Sequence, residues 1–175
     1  MSQTKAQLIE AAATFTISSD ASFNSVSIGK GANSVANNTV LGESALDASV
    51  SGGNNTAIGK QSLSALTSGT NNTALGSGSL ASVTTGNDNT ALGKSVLNNN
   101  TGSNNTGVGY QALISNTSAS ENTALGFSAL TANTTGGNNT ALGNQSLLSN
   151  TTASFNVGVG PVSYTHLTLP TTPYV

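Results

Sequence analysis

A glycine closes a near-copy of one hexapeptide at Gly42, Gly59, Gly76, Gly93, Gly109, Gly126, Gly143 and Gly160, so the chain advances by 17 residues per copy with a single step of 16. NNTALG is spelled in full at 71–76 and again at 138–143. Repetition at a short fixed interval specifies a stack of equivalent units, each burying its apolar face against its neighbours, rather than one folded core around a single site. A looser copy, NSVSIG (24–29), ends 13 residues before Gly42 and reads as a shortened first coil that caps the array. The chain thus divides into a lead-in segment (1–23), a repeat array (24–160) and a tail (161–175).

Comparing the copies shows what each position tolerates. Three residues before the Gly stand Thr39, Thr56, Thr73, Thr90, Thr106, Thr123 and Thr140, with Val26 and Val157 at the ends. This is β-branched strand chemistry. One residue before the Gly the side chain is always aliphatic, as in Ile28, Leu41, Ile58, Leu75, Leu92, Val108, Leu125, Leu142 and Val159. Between the two lies a small residue in most copies (Ala57, Ala74, Ala91, Gly107, Ala124, Ala141, Gly158). Side chains alternate along a strand, so the Thr and aliphatic positions share one face. The expectation is that this face points inward and that the small residues face outward, where another backbone packs. Four residues after the Gly, Leu46, Leu63, Leu80, Leu97, Leu113, Leu130 and Leu147 recur as a second core contact. The Gly suits a turn with positive φ, and polar stretches such as NTTGG (133–137) suit left-handed turns. Stacking would set Asn139 beside Asn122 and Asn105, and Thr151 beside Thr134 and Thr117, as hydrogen-bonded ladders with a repeat of about 4.8 Å.

The reading is an all-β fold, a parallel β-solenoid of about eight coils of 17 residues. One coil buries little apolar surface for the backbone it must order, so a stripe of Ala and Gly on the outside is expected to pack against copies of the same chain. A homotrimer is favoured.

Only 6% of residues are charged and the net charge is −2, with four Lys and no Arg, which leaves no basic stripe for nucleic acid. Cysteine is absent, so thiol catalysis and thiolate metal sites are excluded. No apolar stretch reaches the length of a membrane span, and Glu10 interrupts what would be a signal core, so an unexported chain without membrane insertion is expected. No catalytic residue, cofactor or metal is expected.

NSVSIG followed by KGANSVA (24–36) resembles the head repeats of YadA-like trimeric adhesins, and NNTGVGYQAL (104–113) resembles the NTAVGYQAL-type repeats of phage tail-fibre and related structural proteins. KAQLIE (5–10) is similar to the amino termini of some marine phage structural proteins. The resemblance implies a trimeric β-roll that serves as a structural and attachment segment of a virion appendage, presenting a tip to a host cell-surface receptor or glycan. The alternative it implies is the head of a bacterial surface adhesin.

The residue after each Gly varies (Glu43, Lys60, Ser77, Lys94, Tyr110, Phe127, Asn144), as an exposed site would. Tyr110 and Phe127 fall in successive coils, so their rings are expected to stack on the surface as a receptor or glycan contact. Repetition explains the NNT sequons at Asn54 and Asn71 better than glycosylation does, and IGKQSL (58–63) matches a hexapeptide acyltransferase signature only once per repeat. Ice binding through Asn-x-Thr files is a further alternative, disfavoured because the Thr is expected to point inward. VSYTHLTLPT (162–171) breaks the pattern, back-translates into a sequencing adapter and reads as foreign, so His166 is given no chemistry.

Overall fold

The structure, a computed structural model, describes residues 20–162. The lead-in up to residue 19 and all but the first two residues of the 161–175 tail, His166 included, lie outside the described residues. Ten short strands form one sheet in strict chain order: β1 (Ala21–Phe23), β2 (Val26–Gly29), β3 (Thr39–Gly42), β4 (Thr56–Ile58), β5 (Thr73–Leu75), β6 (Thr90–Leu92), β7 (Thr106–Val108), β8 (Thr123–Leu125), β9 (Thr140–Leu142) and β10 (Val157–Val159). From β3 to β10 every pairing is parallel and aliphatic meets aliphatic, as in Leu75↔Leu92, while Thr meets Thr, as in Thr73↔Thr90, in every pair but the last, where Val157 meets Thr140. The fold is therefore a parallel β-solenoid, and the eight parallel strands enclose seven complete coils rather than the eight expected.

The missing coil is the N-terminal one. β2 runs antiparallel to β3, and β1 antiparallel to β2, so NSVSIG belongs to a hairpin laid over the first coil and not to a coil itself. Thirteen residues are too few for a circuit that the other copies need 16 or 17 to complete, and reversing direction solves the problem. Asp20 fastens this cap by accepting the N–H groups of Lys30 and Gly31, each at 2.6 Å.

Only about three residues per coil are strand, yet the stacking continues all the way round. Thr56 N–H donates to Asn72 O at 2.8 Å, Leu63 N–H to Ser79 O at 3.1 Å, Thr67 N–H to Thr84 O at 2.9 Å and Gly76 N–H to Ile58 O at 2.8 Å. Each repeat Gly from Gly42 to Gly143 is required twice over. At Gly93 φ is +129°, and an added Cβ would lie 2.7 Å from the carbonyl oxygen of Gly109 in the next coil.

The two faces of the strand are the reverse of the expectation. Ala57, Ala74, Ala91, Ala124 and Ala141 are fully buried, whereas Leu41, Leu75 and Leu125 stand 43%, 47% and 50% exposed and the Thr residues between are partly or fully exposed. The small residues thus line the interior and the Thr and aliphatic columns look out. The reason is width. The recurrent leucines, all buried, fill the interior and leave most strands room for little more than a methyl group, the first coil alone admitting the larger Val40. Those seven leucines hold φ between +48° and +53°, a left-handed conformation costing roughly 1–2 kcal/mol each. Burying each side chain returns about 1.5–3 kcal/mol. The polar stretch 133–137 takes no positive φ, and the left-handed residue there is Asn138, equivalent to Asn54, Asn71, Asp88, Asn104 and Glu121 in other coils.

Candidate interaction faces

The rest of the interior is amide. Asn55, Asn72, Asn89, Asn105, Asn122 and Asn139, just ahead of each Thr, are fully buried and form the expected ladder. Asn72 shows the pattern: its N–H and its Nδ2 both donate to Oδ1 of Asn55, at 2.9 and 3.1 Å, and Nδ2 donates again to Gly86 O at 2.8 Å. The second expected ladder also forms, with Thr117 Oγ1 donating to Thr134 O and Thr134 Oγ1 to Thr151 O, at 3.1 and 3.0 Å. These hydroxyls bond the backbone carbonyl of the next copy rather than its hydroxyl.

A third ladder escaped the sequence reading. The position seven residues after the Gly is Leu66 and Val83 in two of the early coils, then becomes Asn100, Asn116, Asn133 and Asn150. Asn116, Asn133 and Asn150 each donate from Nδ2 to Oδ1 of the copy before, at 2.7, 2.8 and 2.9 Å. Asn100, with Val83 before it, has no such partner and folds onto Gly102, donating to its O at 2.9 Å and accepting its N–H at 3.2 Å. Later members reach a carbonyl three residues on, as Asn116 does with Ala119 O, whereas Asn100 reaches one two residues on. This is where the 16-residue coil lacks a residue. The shortened coil and the start of the buried ladder are thus one structural event. Every buried side-chain nitrogen and oxygen among the described residues finds a partner.

Since the interior is filled and satisfied, chemistry toward other molecules falls to the outside. The outer face of β3–β10 carries two parallel files, Thr and aliphatic, without a charged residue in either. Two columns border it. On one side run the left-handed residues, where Asn71 Nδ2 donates to Asp88 Oδ1 at 3.0 Å. On the other run the residues following each Gly, beginning with a Lys60–Glu43 ion pair at 3.1 Å between half-exposed side chains. Further along, Tyr110 and Phe127 stack as expected, centroids 5.4 Å apart and planes inclined by 19°. Both remain exposed, but each gives one ring face to the other. No group of three or more His, Cys, Asp or Glu among the described residues is arranged to hold a metal ion, and no helix there is long and apolar enough to cross a membrane.

Comparison with protein-family models, with curated proteins and with solved structures finds no match for this chain.

Proposed function

We propose that this chain is a non-enzymatic structural and attachment segment of a fibrous virion appendage of the phage tail-fibre kind, assembled as a homotrimer that holds a host-recognition tip away from the particle. The supporting observation is the aliphatic column. Leu41, Leu75 and Leu125 are about half exposed on an uncharged face that runs the length of the parallel sheet. At about 4.8 Å per strand that face is roughly 35 Å long. A continuous apolar file of this extent marks a surface that is covered in the working molecule. A second copy covers it well, because each brings the same uncharged files. The association surface expected of the Ala and Gly stripe thus moves to the opposite side of the strand. The mechanism is mechanical, with repeated weak contacts to a host surface gaining strength from multivalency. A bacterial adhesin head would use the same construction on a cell surface.

Sedimentation equilibrium of the full chain tests this. The expected mass is three times the 17.2 kDa of one chain, and Leu75→Asp with Leu125→Asp should lower it to that of the monomer without melting the solenoid. A wild-type monomer at micromolar concentration overturns the reading. One observation favours ice binding as a second reading: Thr73, Thr90 and their copies point outward in register, contrary to the expectation that disfavoured it. Thermal hysteresis from a monomer, abolished by Thr73→Lys and Thr106→Lys, is the result that would establish it.

A further inference from the structure

We propose that the Tyr110–Phe127 stack sets the register in which copies of this chain pack side by side, parallel and level; this rests on the self-association proposed above. The Thr and aliphatic files repeat in every coil, so sliding one copy along another by one coil, about 4.8 Å, recreates nearly the same contacts. Such an interface binds without choosing a register. The choice must come from a feature that does not repeat.

The column bordering the aliphatic file supplies it. Reading along the array it is Glu43, Lys60, Ser77, Lys94, Tyr110, Phe127 and Asn144, polar or charged except at two adjacent rings, and it ends at Pro161. Tyr110 lies two residues from Val108, and Phe127 two from Leu125, which keeps each pair of Cα atoms within about 7 Å. Leu125, Phe127 and Tyr110, at 50%, 51% and 41% exposed, therefore form a local apolar swelling on an otherwise uniform face. Level parallel copies bring ring to ring. A slip of one coil keeps one ring contact, Phe127 of one copy beside Tyr110 of the other, but sets Tyr110 of the first beside Lys94 and Phe127 of the second beside Asn144, which forfeits half the ring contact and strips water from an ammonium. Reversing one copy end for end sets Phe127 level with Ser77 and Tyr110 with Lys94, and no ring then meets a ring. One non-repeating group thereby fixes alignment, as a lone distinctive core residue does in a coiled coil.

The chain has no cysteine, so one introduced at Ser77 or at Asn144 gives a clean site for a nitroxide label. Full-length wild type carrying either label should give a single narrow distribution of distances between copies. Tyr110→Ser with Phe127→Ser should remain an oligomer by sedimentation, with the distribution broadened into components offset along the axis by about 4.8 Å and its multiples. Tyr110→Phe with Phe127→Tyr should restore the narrow form. An unchanged distribution in the ringless variant overturns the proposal and leaves the rings to solvent or a receptor. Dissociation of that variant also overturns it, because the rings would then supply affinity rather than choose among registers. A monomeric wild type removes the underlying self-association instead, a result sedimentation reports separately.

Discussion

Val96 and Gly107 show how tightly volume is rationed inside so narrow a coil. The position three residues after the repeat Gly is Ser or Ala in the other coils but Val at 96, and facing it the usual Ala is replaced by Gly107. A Cβ on Gly107 would sit 2.5 Å from Cγ1 of Val96, a short, branched side chain with little freedom to move aside. Gly107→Ala should therefore destabilise the fold by about 1–3 kcal/mol through overpacking. Val96→Ala should cost a similar amount by opening a cavity. The double variant, restoring the common pair, should lie within about 1 kcal/mol of wild type, a coupling that denaturant titration of the four proteins measures. Additive losses would show that the two sites do not share one space. Glycines elsewhere in the repeat divide by the same test. Gly93→Ala meets both a φ of +129° and the Gly109 carbonyl, and should prevent a stable stack. Gly78→Gln should cost only about 1–2 kcal/mol, the left-handed backbone alone, because the nearest atom to its Cβ is 3.4 Å away and Gln61, Gln111 and Gln145 already occupy that position.

At the scale of the coil, hydrogen-bonded columns hold one turn to the next, and the buried amides set the alignment. Asn100 is the hinge of the newer ladder, since its Oδ1 accepts from Gly102 N, Asn105 Nδ2 and Asn116 Nδ2. Asn100→Val should thus cost about 2–5 kcal/mol by stranding buried donors on two coils. Asn150→Val, at the far end of the ladder, should cost clearly less, and chemical denaturation of the two variants side by side checks the order. Much at this scale was legible in the sequence: the 17-residue step placed the strands and predicted the Asn139, Asn122, Asn105 ladder and the Tyr110–Phe127 stack. What spacing does not carry is which strand face is interior. Alternation says that Thr73 and Leu75 share a face and Ala74 has the other, and that statement is symmetric. Hydrophobicity argued for Leu75 inside, but the answer depended on Leu80 and its copies already filling the space. Those leucines in turn sit in a left-handed turn that no propensity of leucine announces. The coincidence of Asn100 with the 16-residue coil was visible in the sequence, and becomes meaningful once Asn100 is seen to turn back on Gly102.

Across the whole molecule, charge contributes little to cohesion. The chain has four Lys against six acidic residues, and the ion pair between Lys60 and Glu43 joins side chains 55% and 48% exposed. An ion pair so open to water is worth at most about 1 kcal/mol and is screened by salt. What joins coil to coil is backbone and amide hydrogen bonding and buried aliphatic surface, which added salt does not screen. The melting midpoint of the full chain should accordingly move by less than about 3 °C between roughly 20 and 500 mM sodium chloride, by circular dichroism, and Lys60→Ala should leave it unchanged. Sodium sulfate at equal ionic strength should raise it, because sulfate is excluded from protein surface and strengthens apolar burial. Association through the Thr and aliphatic files should follow the same pattern, since neither file holds a charge: sodium chloride leaves the trimer mass unchanged and sulfate holds the trimer together at lower protein concentration. A dissociation constant that rose tenfold with sodium chloride would instead show that ion pairs along the Glu43, Lys60 and Lys94 border, rather than the two uncharged files, hold the copies together.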